Sequence, residues 1–321
     1  MPTITDPPPG PLAQKLAEIG TAIEAGVPAK ELDRNLLIGT WNLRAFGGLT
    51  DKWRAEEKDS PKRDLFDVLC IAEIASRFDV IAIQEVRGDL RALRHLLKKL
   101  GPDWGVIMTD VTQGPEGNNE RMAFIFDTRR VKPSGLAAEL VVWIESDGDI
   151  RSGALDRQFA RTPYAVSFLS AGRTFTLVTL HVVYGKSAGD RVGELREIAR
   201  WLARWAEQEE DWKHNVIALG DFNIDRRGDP LYDAFTATGL QPAPGLNDVP
   251  RTIFDRPGKS SFYDQVAWFT EPGTGPVLDL AYSAAGSFDF VPHLLEGLTT
   301  SQLSWKISDH YPLWTEFSVR P

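Results

Sequence analysis

The sequence predicts an α/β protein in which two sheets pack face to face with helices outside. Three observations carry that expectation. Strand-like apolar runs outnumber helical patterns. Most of those runs are apolar on both faces instead of alternating, so each needs cover on both sides. Beyond residue 35 no internal repeat and no low-complexity linker divides the chain. At 321 residues, 42% of them hydrophobic, one large domain is ordinary and its core needs no covalent staples.

Taken in order, residues 1–11 are rich in proline and read as disordered. Leu12, Leu16, Ile19 and Ile23 recur at helical spacing, with Gly26 as a stop. Residues 1–35 are therefore expected to form an N-terminal extension with a short amphipathic helix. Residues 36–43 read as the first core strand. Residues 62–77 read as a helix with Leu65, Val68, Leu69 and Ala72 inward. A second strand over 79–85 precedes a basic helix over 89–100, whose Arg91, Arg94, Lys98 and Lys99 read as a solvated face. Further strands are expected over 121–126, 138–143, 164–169 and 174–182. A long helix over 191–212 carries Val192, Leu195, Ala199, Leu202 and Ala206 on one side. The run Val216-Ile-Ala-Leu219 is a buried strand, followed by a short helix over 231–237 and strands over 262–269 and 312–319.

The net charge of −9 argues against a broad basic surface for nucleic acid. It does not exclude a nucleic-acid enzyme, because metal-binding carboxylates make the count acidic and a bound cation offsets them locally. The one cysteine, Cys70, excludes a disulfide within the chain and reads as a core residue. The N-terminus shows no basic segment followed by an apolar one, and no run of about 18 apolar residues spans a membrane. The cytoplasm is the default expectation.

Polar residues recur where the apolar runs end. Asp221 and Asn223 close the strand at 216–219, and residues two apart in an extended segment point the same way. Their oxygens suit a hard divalent cation or the surroundings of a phosphate. Asn42 ends the first strand and Glu85 the second. Glu120 precedes the third, and His181 lies near the end of 174–182. Asp264 opens another strand, and Asp309 and His310 sit in Ile307-Ser-Asp-His-Tyr-Pro312. Each has an ordinary reading as a turn residue, a helix N-terminal acid or a hydrogen-bonded core histidine. So many of them at the ends of apolar strands make a joint accident a poor explanation.

These segments resemble the endonuclease/exonuclease/phosphatase superfamily, and within it the pancreatic-type deoxyribonuclease branch. The carriers are Trp41-Asn-Leu43, Ile83-Gln-Glu-Val-Arg87, Asn119-Glu-Arg121, Thr179-Leu-His181, Gly220-Asp-Phe-Asn223, Tyr263-Asp264 and Ser308-Asp-His-Tyr-Pro312. The resemblance implies a four-layer sandwich, two mixed sheets flanked by helices, and makes residues 36–321 a metal-dependent phosphodiesterase domain. It implies Mg²⁺ or Mn²⁺ held by Glu85 with Asn42 and Asp309 close by. Asp221 and Asn223 would hold a second ion or orient water and the scissile phosphate. His181 with Glu120 and His310 with Asp264 would form two histidine–carboxylate pairs, His310 serving the water and His181 the leaving group. A carboxylate fixes the imidazole tautomer and raises its proton affinity. In-line attack on a phosphodiester needs one proton removed and another delivered. Arg87 and Arg161 match positions that contact the DNA backbone.

The expected activity is thus divalent-metal-dependent phosphodiester hydrolysis, with DNA as substrate and endonucleolytic cutting as the outcome. The rival readings are the same chemistry on abasic-site DNA, a sphingomyelin-type lipid or a sugar or inositol phosphate, and a non-catalytic binding module. A lipid enzyme should expose an aromatic hairpin, whereas Trp143, Trp268 and Phe269 read as core. One departure stands out. The DNA-cutting members carry a tyrosine before the Glu-Arg pair, where this chain has Gly117-Asn-Asn119.

Overall fold

The computed structural model describes residues 1–112, 118–140, 159, 161–185, 188–208, 215–256, 260–271 and 275–319. The elements run α1 (Gly10–Gly26), β1 (Asn35–Phe46), α2 (Leu65–Ala75), β2 (Val80–Arg87), α3 (Arg91–Leu100), β3 (Trp104–Met108), β4 (Glu120–Asp127) and β5 (Lys132–Glu139). They continue with β6 (Tyr164–Ser170), β7 (Arg173–His181), α4 (Ala188–Gln208), β8 (Val216–Asp221), α5 (Pro230–Thr236), β9 (Leu240–Pro242) and β10 (Asp264–Glu271). The last are β11 (Gly275–Pro276), β12 (Ala281–Ser287), α6 (Val291–Leu294), α7 (Thr300–Lys306) and β13 (Leu313–Ser318).

Two mixed sheets form, as expected. One has the order β12-β13-β1-β2-β4-β3, the other β11-β10-β8-β7-β6-β5 with β9 beside β10. In each, the central pair is parallel: β1 with β2, and β7 with β8. The carboxyl ends of parallel neighbours lie at one edge, which is where α/β sheets hold ligands.

Strand alternation sorts the core into three apolar layers. Leu36 and Ile38 of β1, Val80 and Ala82 of β2 and Phe124 of β4 meet Phe168, Leu177, Leu219 and Trp268 between the sheets. Trp41, Ile81, Ile83 and Ile125 face the other way, towards side chains of α1, α2 and α3. Val178, Val216 and Ala218 meet Leu195 and Leu202 of α4 and Phe235 of α5 on the far side. Side chains two apart along a strand share a face, so each central strand supplies two layers at once. That is why these runs read as apolar throughout.

Several boundaries move. Residues 1–11 are ordered: Ile4 is fully buried, and α1 packs on α2 and α6. Proline at the first turn of a helix sacrifices no hydrogen bond, so the prolines that read as disorder instead start α1. The helix expected from residue 62 begins at Leu65, because Asp64 and Asp67 form a reciprocal cap. The strand expected over 138–143 is β5, displaced towards the N-terminus; its part beyond residue 140, with Trp143, and residues 209–212 of the expected long helix lie outside the described residues. Strands β3, β9, β11 and β12 escaped the sequence reading. β12, Ala281-Tyr-Ser-Ala-Ala-Gly-Ser287, has too few large apolar residues to announce itself. Cys70 is buried, and the basic face of α3 is exposed.

Candidate active site

Register builds one half of the site. β7, β8 and β10 are neighbours, with His181 opposite Asp221 and Asp221 opposite Asp264. A histidine and two carboxylates therefore stand on one rung. Gly220 permits that approach: its φ is +134°, and a Cβ there would lie 2.1 Å from Leu180 O. No other residue type fits.

The other sheet supplies Asn42 and Glu85 from the carboxyl ends of β1 and β2. Register shifts fall between Asn42 and Phe46 and between Ile83 and Val86. Such irregularities re-aim side chains at the rim of a sheet. Glu85 at φ +61° and Asn223 at φ +49° adopt the left-handed conformation that non-glycine residues avoid. The segment after α7 closes the ring. Ser308 Oγ donates to Asn42 O and accepts from His310 N at 3.1 Å. Trp41 Nε1 holds His310 O at 2.8 Å, and Thr252 Oγ1 donates to Asp309 O at 2.6 Å.

The two histidines mirror each other. His310 Nδ1 meets Asp264 Oδ2 at 2.6 Å, and His181 Nδ1 lies 3.2 Å from Glu120 Oε2. Their Nε2 atoms converge on one oxygen, Asp221 Oδ2, at 3.7 Å from His181 and 3.9 Å from His310. Asn42 Nδ2 donates to the same oxygen at 3.0 Å. Asn223 N donates to Asp221 Oδ1 at 2.9 Å. All the residues expected at the site except Asp264 and Arg87 line a cleft of about 670 Å³. Asp264 is fully buried behind His310.

The two expected DNA-binding arginines both turn to Glu120. Arg161 Nε lies 2.8 Å from Glu120 Oε2, and Arg87 Nη2 lies 3.1 Å from Oε1. The Arg161 and His181 contacts to Oε2 have ion-pair distance without hydrogen-bond alignment. Arg161 lines the cleft, whereas Arg87 does not.

Electrostatics separates the pairs. Burial raises the Glu120 carboxyl, but His181, Arg161 and Arg87 together hold it below the usual range. Burial, helped by the neighbouring Asp221 carboxylate, outweighs the opposing charges of His310 and Arg251 at Asp264 and pushes it up to about 6. Burial lowers the proton affinity of His310, but Asp264, then Asp221 and Asp309, overcome it and raise it well above the ordinary value.

Asp221, Asp264 and His310 each offer an atom within 4.8 Å of the others, a grouping that could hold a cation. Asp264 Oδ2 and His310 Nδ1 are already taken up with each other, which leaves Asp264 Oδ1 buried without a partner. An oxygen-rich cation site fits better at Asn42. Its Oδ1 is buried without a partner, beside the Asp221 carboxylate and in the cleft that Glu85 and Asp309 also line. Glu85 Oε2 accepts from Ala45 N at 2.8 Å, and Asp309 Oδ2 is 3.2 Å from Arg44 Nη1.

Sequence reasoning missed several neighbours. Arg44 steadies Asp309 and donates to Ser304 Oγ at 2.8 Å. Arg251 is buried and donates from Nε to Asp264 O at 3.2 Å. Asn118 donates to Glu120 Oε1 at 2.5 Å. Arg191 donates to Asn223 O at 2.8 Å while gripping Asp225 with two nitrogens. Arg44 stands directly after Trp41-Asn-Leu43 and Asn118 two residues before Glu120, which were usable signals; Arg251 and Arg191 are distant in sequence from what they hold.

The sequence matches the Endonuclease/Exonuclease/phosphatase family over residues 39–310. A deoxyribonuclease of Thioalkalivibrio sp. (strain K90mix) is 27% identical over 296 residues, covering 88% of this chain and 71% of that protein. Deoxyribonuclease-1 of Sus scrofa is 26% identical over 295 residues, covering 88% and 92%. Among solved structures, D. rerio TDP2 complexed with a single-strand DNA product aligns with a TM-score of 0.56 at 17% identity, over 88% of this chain and 98% of that one. The human Nocturnin catalytic domain aligns with a TM-score of 0.55 at 17% identity, over 90% and 96%. At such identity the structures speak for the fold. With the family match spanning both sheets and most of the cleft, the chain belongs to the endonuclease/exonuclease/phosphatase family and is a phosphoester-hydrolysing enzyme akin to the deoxyribonucleases.

Proposed function

We propose that this enzyme is a divalent-metal-dependent DNA endonuclease. The observation that supports it most is the convergence of two carboxylate-backed imidazoles on Asp221 Oδ2. Two proton-handling groups facing one acidic oxygen in an open cleft suit in-line displacement at a phosphodiester. One takes the proton of the attacking water and the other delivers a proton to the leaving oxygen. A bound Mg²⁺ or Mn²⁺ would neutralise charge developing on the phosphoryl oxygens. Glu85, Asn42 and Asp309 would hold it, and Asp221 and Asn223 would orient water and phosphate.

The charge around the histidines argues for reversing the order expected from sequence. His310 sits among Asp264, Asp221 and Asp309 and holds its proton, which is the starting state of a general acid. His181 then takes the water. Arg161, in the cleft wall, neutralises a neighbouring phosphate, and Arg87 positions Glu120. No helix among the described residues is long and apolar enough to cross a membrane.

The test is incubation of the full chain with Mg²⁺ and supercoiled plasmid, beside a phosphomonoester and a sphingomyelin vesicle. Nicking that stops with chelator, and that falls by orders of magnitude in Glu85→Gln with the fold intact, is the expected result. Turnover of the monoester or the lipid with intact plasmid overturns the DNA reading. Near-normal nicking by Glu85→Gln at saturating Mg²⁺ removes Glu85 from the cation site.

A further inference from the structure

Among the described residues, the exposed large hydrophobic side chains are Met1, Leu32, Leu169, Tyr184, Phe254 and Trp305. Single exposed apolar residues are ordinary. Here two of the three rings line the cleft and the third stands beside a residue that touches it. Tyr184 and Phe254, 61% and 48% exposed, line the catalytic cleft. Trp305, 49% exposed, stands one step outside it on α7, against Arg44, whose Nη1 reaches Asp309 of the cleft.

Each ring has a guanidinium for company. Arg44 Cζ lies 4.0 Å from the Trp305 ring centre, and Arg191 Cζ lies 5.1 Å from that of Tyr184. Exposed Arg256 shares the cleft wall with Phe254. Rings with neighbouring arginines beside a hydrolytic cleft suit single nucleic-acid strands. Bases stack on the rings, and exposed Arg256 is placed to take a phosphate, while Arg44 and Arg191, held by Asp309 and Asp225, brace their rings. A duplex hides its base faces and shows only edges in its grooves. A ring entering the minor groove could exploit those edges, but the described residues before Glu120 are Asn118 and Asn119, and both are left-handed.

We propose that the cleft takes DNA in a locally unpaired form, with bases of one strand stacked on Tyr184, Phe254 and Trp305. The inference rests on the DNA-hydrolase reading above and names its substrate class. The rings then select strands with exposed base faces, such as single strands, flaps or frayed ends, while the two histidines act on the backbone between them.

The experiment measures binding of the full chain, in chelator, to a labelled single strand of about 12 nucleotides and to the duplex of the same sequence. Cleavage of both is then measured with Mg²⁺. Single-strand binding tighter by roughly tenfold or more is expected, on the scale of one to two stacked bases. Trp305→Ala, Phe254→Ala and Tyr184→Ala should each weaken single-strand binding by roughly 5- to 150-fold, the range of base–ring stacking. Trp305→Phe should restore most of the loss. Leu169→Ala, an exposed apolar change on β6, should alter neither, and unchanged melting temperatures show that the variants fold. Equal binding of strand and duplex, or single-strand affinity untouched by the ring variants, overturns the proposal while leaving a DNA hydrolase. Loss of phosphatidylcholine–sphingomyelin vesicle binding in the ring variants, with DNA binding unchanged, also overturns it and makes the rings a lipid wedge. Failure of the unaltered chain to bind or cut any DNA fails the parent reading instead.

Discussion

The two histidine–carboxylate pairs both turn Nε2 towards Asp221 Oδ2 and differ in their surroundings. At the first, Glu120 faces His181 with Arg161 and Arg87 on its other sides, and its carboxyl is held low. At the second, Asp264 is fully buried, and burial outweighs the opposing charges of His310 and Arg251, so its carboxyl rises to about 6 while the carboxylates around His310 raise that ring's proton affinity. What stands around each carboxylate thus separates the two pairs. Environments that push two titratable groups apart are how one site obtains an acid and a base at a single pH.

Breaking either imidazole has the largest expected effect. His181→Ala and His310→Ala should each lower kcat by about 10²- to 10⁴-fold, and the double variant should be little worse than the poorer single one. A nitrophenolate leaving group needs little protonation, so it should rescue His310→Ala and leave His181→Ala slow. Rescue of His181→Ala instead restores the order that the sequence suggested. Full activity of both makes the histidines structural.

The carboxylates sharpen the comparison at a smaller cost, about 10- to 100-fold each for groups that orient an imidazole. His310 is protonated below its raised folded value, and its acid form is lost as pH rises through that value. Asp264→Asn removes the main cause of the rise, so the alkaline limb of kcat/KM should move to lower pH. Glu120 has a depressed value, so its ionised form, and the stability that goes with it, is lost as pH falls through that value. Glu120→Gln should therefore leave the alkaline limb in place and change the acid side. Identical shifts in the two variants would show that the pairs are not distinct.

The arginines give the smallest effect. Arg161→Ala should weaken DNA binding evenly across sequences and reduce its salt slope by about one phosphate. Arg87→Ala, further from the cleft, should leave the salt slope unchanged and lower kcat through Glu120. Equal changes in salt slope would place both arginines on the backbone, as their sequence positions implied.

Most of the site was legible because its chemistry sits at strand ends. An apolar run that stops at His181 or Asp221 marks the residue where the chain leaves the core. The resemblance paired His181 with Glu120 and His310 with Asp264, and the structure places the two pairs at 3.2 Å and 2.6 Å. Elements without large apolar side chains, β12 above all, left no such mark.

What the sequence determined by itself is the layered fold, because strand runs that are apolar on both faces must be covered on both sides of a sheet. It determined as well which residue types meet at the cleft. The charges around each pair were decided only in three dimensions. Those at Glu120 come from His181, Arg161 and Arg87, and those at His310 from Asp264 and Asp221 besides its neighbour Asp309, most of them tens of positions away in the chain. Coulomb energies follow distance in space and local burial, and neither is written in sequence separation.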